Sequence, residues 1–538
     1  MRMDGRRQFL NMAGIAGMMT FSKIPAFAAQ NAAEMVHPSA LVCDVTAFGA
    51  TGDGKTLDTA AVNRAIDECA AHGGGTVYFR PGNYLSCSIH LKSKVALYLD
   101  QGATIVAADP AADSAHRYDL AESNKPWEEY QDFGHNHWHN SLIWGEGLED
   151  VSILGPGLIW GRGLSRGWPA DRDAGPVAEN PGVANKVIAL KNCRNVILRD
   201  FSILHGGHFG ILATGVDNLT IDNLKIDTNR DGMDIDCCRN VRVSNCSVNS
   251  PWDDAICLKS SFALGYARAT EMVTISNCLV SGSFDEGRML DGTWKRLADD
   301  AKVFRTGRIK FGTESNGGFK NIAVSNCVFE GCNGLAIESV DGALIEDVSV
   351  SNITMRDVHN APIFLRLGAR MRGPADAPVG AVRRVLLSNI TCIQAARSAR
   401  IGAILAGIPG HPIEDVKISD VMMVCAGGGT KGDAQLVMTE KEKAYPEPTM
   451  FGTTPAYGFF LRHVRGLEMQ SVKIECANVD ARPAFALADV EDASFGRMRV
   501  PVTAGGATFV LNRVKDFSVF RSRPVKDTEI ESTEKAEV

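Results

Sequence analysis

Between Leu148 and Cys425 the chain repeats one short pattern, two to four alternating apolar residues closing on an asparagine. It stands as Asn218-Leu-Thr-Ile-Asp-Asn-Leu224, Asn240-Val-Arg-Val-Ser-Asn-Cys246 and Val273-Thr-Ile-Ser-Asn-Cys278. It returns as Asn321-Ile-Ala-Val-Ser-Asn-Cys327, Val348-Ser-Val-Ser-Asn-Ile353 and Val385-Leu-Leu-Ser-Asn-Ile390. Apolar alternation over so few residues predicts short strands with one buried face. The shortest steps between closing asparagines are 22 residues, Asn223 to Asn245, and 26 residues, Asn326 to Asn352. A period in the low twenties with turns at Gly and Asn predicts coils that stack strand on strand, with an asparagine column along the turns. β-Propeller blades need roughly 40–50 residues and regular hairpin turns, which the pattern lacks. The expected fold is all-β, a right-handed parallel β-helix over residues 44–524.

The flanks read differently. From Asp58 to Ala71 apolar residues recur at helical spacing, and Gly73-Gly-Gly75 ends the run, so a short helix is expected to cap the first coil. Residues 110–140 lose periodicity and are rich in His, Trp, Tyr and Asp, as expected of a loop lining a cleft. Within it, His135, His137 and His139 alternate, which in an extended segment would put them on one side with Asp132 nearby; loop lining is the preferred reading over a metal centre. Beyond residue 426 the repeat weakens, with loops over 426–456 and strand patterns resuming at Gly458. The charged segment 525–538 lacks apolar periodicity and is expected to be disordered. Residues 1–29 carry Arg6-Arg7-Gln8-Phe9-Leu10, a modest apolar run and Ala26-Phe27-Ala28-Ala29, the pattern of a twin-arginine export signal. A periplasmic or secreted protein, with no membrane span in its mature form, is the expectation.

Composition narrows the partners. With 56 basic and 63 acidic residues, net charge −7 and no basic block, nucleic acid is an unsuitable partner. Fourteen cysteines in an exported chain invite disulfides. Three of them, however, follow Ser-Asn at equivalent places, which suits small buried residues stacked coil on coil.

The candidate chemistry lies in Asn229-Arg-Asp-Gly-Met-Asp-Ile-Asp236 and, about one coil later, Asp253-Asp254 and Lys259. In stacked coils Asp231, Asp253 and Asp254 become neighbours, and clustered carboxyls raise at least one pKa into the range of a general acid. These motifs resemble the polygalacturonase-like glycoside hydrolases of family 28, and the segment Asp44 to Asp109 resembles the opening of pectate-lyase-like β-helices. The resemblance implies that Asp253 protonates the leaving glycosidic oxygen while Asp231 and Asp254 activate water from the opposite face. That is inverting hydrolysis with carboxyls about 6.5–9.5 Å apart. Asn229 and Lys259 would support the site, and Asp234 and Asp236 would be turn and ladder residues. The family's His-Gly motif is missing: Thr306-Gly-Arg-Ile-Lys-Phe-Gly-Thr-Glu-Ser315 stands in its place, and Gly334-Leu-Ala-Ile-Glu-Ser339 replaces the following Arg-Ile-Lys.

Arg308 and Lys310 share a strand face and are expected either to bind a substrate carboxylate or to pair with Glu314 and Glu338. His205 and His208, one coil earlier, are candidate substrate contacts or structural histidines. The expected substrate is a pectic poly- or oligosaccharide, galacturonan or rhamnogalacturonan, with exo action among the expectations and no cofactor or metal. The rivals are a β-eliminating lyase, betrayed by unsaturated products, and a carbohydrate-binding adhesin, which would bind without turnover.

Overall fold

The computed structural model describes residues 41–131, 134–166, 177–396, 398, 400–502 and 506–538. The expected export signal and Asp132 lie outside these residues. Strands from Val42 to Phe520 pair in parallel, coil upon coil, as a right-handed β-helix. A typical coil holds three strands, as in Asp231–Asp236, Arg239–Ser244 and Ser247–Asn249. Each pairs with its counterpart one coil away, Asp234 with Leu212 and Cys257, Val243 with Ile221 and Ile275. Inward-facing positions make continuous apolar columns; one runs Ile235, Leu258, Phe311, Ile337, Leu365, Leu405, Leu461. Among the described residues no helix is long and apolar enough to cross a membrane.

The closing asparagines explain the period. Asn223, Asn245, Asn277, Asn326, Asn352 and Asn389 all have φ between 53° and 58°, the left-handed region that Asn tolerates better than other non-glycine residues. Their side chains then bond coil to coil, Asn352 Nδ2 donating to Asn326 Oδ1 at 3.1 Å and Asn389 Nδ2 to Asn352 Oδ1 at 3.2 Å. The ladder therefore satisfies side chains with each other, where the turn backbone was the expected partner. Beside it, Cys246, Cys278 and Cys327 are buried, each thiol donating to the carbonyl two residues before it at 3.2–3.3 Å. All fourteen cysteines are free.

Both ends are covered. The helix Thr59–Ala71 buries Ala61, Val62, Ala65, Ile66 and Cys69 at the first coil. Gly74 behind it (φ 125°) approaches Lys94 so closely that a Cβ would meet the Lys94 carbonyl oxygen at 2.5 Å. At the other end the charged segment 525–538 is not disordered. Thr528–Glu537 forms a strand antiparallel to Phe509–Phe520, with Ile530, Ala536 and Val538 against the core. The last coil offers a full row of unpaired backbone groups, and pairing with that edge outweighs what composition alone predicts.

Candidate active site

One ladder carries the chemistry. Along its outward face the register runs Leu212, Asp234, Cys257, Lys310, Ala336, Phe364, Ile404, Phe460. This column is charged in the middle and apolar at both ends, and each apolar end lies beneath a loop. Leu212 and Phe209 pack with Trp138, whose indole N–H donates to Thr214 Oγ1 at 3.0 Å. Phe364, Ile404 and Phe460 pack with Phe451. The uncovered stretch is short and holds the aspartates.

Asp231 opens the strand Asp231–Asp236, while Asp253 and Asp254 sit in the turn before Ile256–Ser260. Gly232 lets these segments meet, since a Cβ there would lie 2.4 Å from the Ala255 carbonyl oxygen. One carboxylate oxygen from each of Asp231, Asp253 and Asp254 lies within 4.8 Å of the other two. That approach is closer than the about 6.5–9.5 Å expected of an inverting pair with water between acid and base.

The three carboxyls are not equivalent. Asp254 is 4% exposed, with Arg308 Nε at 2.9 Å and Lys310 Nζ at 3.4 Å. Burial pushes its pKa up, but Lys310 and Arg308 together outweigh burial and hold it below the usual value. Asp231 is buried and raised well above a normal carboxyl, by desolvation and then by Asp234 and Asp253. Asp253 is also raised by desolvation, against the pull of Arg230 at 3.0 Å, yet 27% of its side chain is exposed. Asp231 and Asp254, expected as the pair that activates water, are thus biased in opposite directions, Asp231 toward the protonated form and Asp254 toward the carboxylate.

Lys259, expected to support the site, and Glu314, expected near Arg308 and Lys310, bind each other at 2.9 Å with Asp234 Oδ2 3.7 Å from the ammonium. Burial alone would neutralise both. Asp234 and Glu314 instead drive the Lys259 pKa well up, and Lys259 drives that of Glu314 well down. Asp234, read as a turn and ladder residue, belongs to this cluster, with His135 Nε2 3.4 Å away. Asp236 is the ladder residue expected, accepting from Ser261 N and Oγ at 2.8 and 2.6 Å. Arg308 and Lys310 take the ion-pair alternative, Lys310 with Glu338 as one of the expected partners. Arg308 is gripped by Asp254 and by both oxygens of Glu447 (3.2 and 2.6 Å), and Lys310 lies between Asp254 and Glu338 (3.8 Å). Burial pushes Glu338 up to about 7.

His208 stacks on Phe209 and lies 2.7 Å from Arg230, so it reaches Asp253 through that arginine. His205 accepts from the Trp160 indole at 2.9 Å and lies 3.8 Å from Glu286, with burial lowering its pKa to about 4. Asn229 is buried, its carbonyl accepting from Trp252 N at 2.8 Å. His135 goes to Asp234, while His137 and His139 both approach Glu122 (4.0 and 3.5 Å) and pair further with Glu128 and Glu146, so the three histidines do not meet at one point. The spacing of the three aspartates would admit a cation, but Arg230, Lys310 and Arg308 already neutralise that position.

A cavity of about 450 Å³ opens beside Asp253. Trp252 and Phe304, edge to face at 5.4 Å, line it together with Tyr445 and Glu447. Arg230, Trp252, Tyr445 and Glu447 are site residues that sequence reasoning missed. Arg230 stands inside the Asn229–Asp234 motif and was legible there; Glu447 meets Arg308 across 139 residues and has no local signal.

Residues 42–140 match the family model described as rhamnogalacturonase A/epimerase, pectate lyase-like, and residues 183–295 match a right-handed β-helix region. A probable polygalacturonase of Vitis vinifera is 23% identical over 446 residues, covering 79% of this chain and 84% of that protein. An exo-poly-α-D-galacturonosidase of Dickeya chrysanthemi is 26% identical over 265 residues, 42% of each chain. In structure the chain is similar to a family 28 exopolygalacturonase of Yersinia enterocolitica, with TM-score 0.60 and 19% identity over 86% of this chain and 78% of that one. A hyperthermoactive exopolygalacturonase of Thermotoga maritima gives TM-score 0.57 and 19% identity over 81% and 92%. The β-helix, the ordered aspartates and these likenesses agree: the chain is polygalacturonase-like, similar in sequence to polygalacturonases and in fold to a family 28 exopolygalacturonase.

Proposed function

We propose that this protein hydrolyses glycosidic bonds of galacturonan-type pectic chains, that it acts from a chain end, and that Asp253 is its general acid. The observation that carries the reading is the division of labour among three carboxyls whose oxygens lie within 4.8 Å of one another. Both Asp253 and Asp254 line the cavity, but the more exposed Asp253 has a raised pKa while that of Asp254 is lowered. Asp253 gives its proton to the leaving oxygen as the C–O bond breaks. A water attacks the anomeric carbon and passes its proton to Asp254. A water donating two hydrogen bonds of about 2.8 Å spans acceptors roughly 4.5 Å apart, which suits a water held between Asp231 and Asp254 at the observed spacing. Arg308 and Lys310 keep Asp254 anionic, and Arg230 orients Asp253.

The covered ends of the ladder support end-wise action, because a chain running along the face would collide with Trp138 on one side and Phe451 on the other. Export through the twin-arginine pathway is part of the proposal and rests on residues 1–29; cell fractionation tests it, and retention of the full-length chain in the cytoplasm would count against it.

The main test is product analysis on homogalacturonan and rhamnogalacturonan fragments with wild type and Asp253→Asn. Release of saturated products from one chain end, by wild type alone, is expected. Unsaturated uronates would instead assign elimination. The anomeric form of the first product, read by NMR, decides whether one displacement or two takes place.

A further inference from the structure

We infer that the last coils carry a second binding site, an arginine ladder that anchors a polyuronate chain away from the catalytic carboxyls. The choice of a polyuronate rests on the reading of the protein as a galacturonan hydrolase. On the third face of the solenoid one outward column runs Leu279, Val328, Thr354, Thr391, Met422, Lys473, Arg499, Arg523. It is uncharged through Met422 and then places three cations on successive coils, about 4.8 Å apart. Both arginines belong to Arg-x-Arg pairs, Arg497-Met-Arg499 and Arg521-Ser-Arg523, and all four arginines are exposed. Like charges directly opposite on neighbouring strands are destabilising, so the scaffold gains nothing from this arrangement. Lys473 is paired with Glu475 at 2.6 Å. Among the described residues the Arg499 and Arg523 guanidiniums have neither an ion pair nor a hydrogen bond.

A groove of about 870 Å³ is lined by the three cations of the ladder. Its acids are committed, Glu475 to Lys473 and Asp480 to the buried Arg482 at 2.8 Å. Val479 and Val502, 82% and 80% exposed, give it an apolar wall for the C–H faces of sugar rings. Tyr457 also lines it, 1% exposed and with a buried hydroxyl that has no hydrogen-bond partner. Such a hydroxyl costs free energy until a ligand or water completes it. A chain with one carboxylate per sugar fits, because carboxylates match the guanidinium fork and one coil is close to the length of one sugar residue. The catalytic ladder is elsewhere. Its register Lys310, Ala336, Phe364, Ile404, Phe460, Ala486 puts Arg499 five coils beyond Lys310, roughly 24 Å along the axis and on another face. A long chain held at both places gains avidity that a short one cannot.

The test compares the full chain with its double variant Arg499→Gln/Arg523→Gln, using long polygalacturonate, trigalacturonate, a neutral galactan and double-stranded DNA as probes. Polygalacturonate binding, read by affinity electrophoresis in the cold at low salt, is expected to weaken at least tenfold, the difference shrinking as salt rises. Turnover of trigalacturonate is expected to stay unchanged, which also reports that the variant is folded. Unchanged polygalacturonate binding overturns the inference. An equal loss on trigalacturonate turnover does so too, since it would put the arginines in the catalytic cleft. Galactan or DNA held as tightly as polygalacturonate would remove the uronate as the recognised group, and the inference with it. If polygalacturonate is bound through the arginines but no pectic fragment is cleaved, the inference stands and the proposed activity falls. Cleavage with binding that ignores the arginines gives the reverse.

Discussion

Two clusters of buried charge stand on the same ladder, and they differ in what closes over them. Asp234, Lys259, Glu314 and His135 lie beneath the loop that carries Trp138, and none of them lines the cavity. Asp253, Asp254, Arg308 and Lys310 have similar chemistry but face that cavity. Burial makes a carboxylate and an ammonium mutually dependent in both places. Only where one carboxyl keeps access to solvent can a proton reach a substrate, so the proposed reaction is assigned to the second cluster and a structural role to the first.

That contrast sets the expected effects. Asp253→Asn is expected to lower turnover by about 10²–10⁴-fold, the range of a lost general acid, while the thermal midpoint stays within a few degrees. A comparable loss of folding stability would move Asp253 out of the chemistry and into the scaffold. Lys259→Met is expected to do the opposite, costing about 3–5 kcal/mol in chemical denaturation because Asp234 and Glu314 are left buried without their cation. Loss of activity with unchanged stability would merge the two clusters into one site.

Glu447→Gln removes the charge that grips Arg308 from the loop. A charge-assisted hydrogen bond is worth about 1.5–3 kcal/mol, so a rise of roughly tenfold or more in KM is expected in steady-state kinetics, with a smaller change in kcat. An unchanged KM would show that the loop does not shape the cavity.

The smallest effect concerns Glu338. Its folded pKa, about 7, is raised above the value of an unfolded glutamate near 4.3, so the native state binds more protons between those values. Stability from this group therefore falls as pH rises from about 4.5 to about 7 and stays lowered above that. Glu338→Gln is expected to be more stable than wild type at pH 8 by about 1–3 kcal/mol, with the advantage gone near pH 4. Urea denaturation at the two pH values reads it directly. An advantage equal at both would mean that Glu338 does not titrate in this range.

Much of this was legible before any coordinates. The coil repeat, the capping helix and the aspartates of the site announce themselves because each is local: a strand period, a helix period, Asn-x-Asp-Gly and Asp-Asp one coil apart. The asparagines were legible too, although their reason is the left-handed turn as much as the ladder. Arg308 and Lys310 were read as partners for substrate or for glutamates, and composition could not choose, since a cation looks the same whether its partner is Glu447 or a sugar acid. The C-terminal strand was misread because composition reports what a segment would do alone, not beside an open β edge.

Sequence alone determined the periodic features, since every coil must repeat the same inward apolar positions to continue one core. Tertiary structure decided which carboxylates are ionised, which cations are occupied and where the ladder is left bare. Those depend on burial and on partners as far apart as Arg308 and Glu447, and both exist only once the coils have stacked and the loops have closed over them.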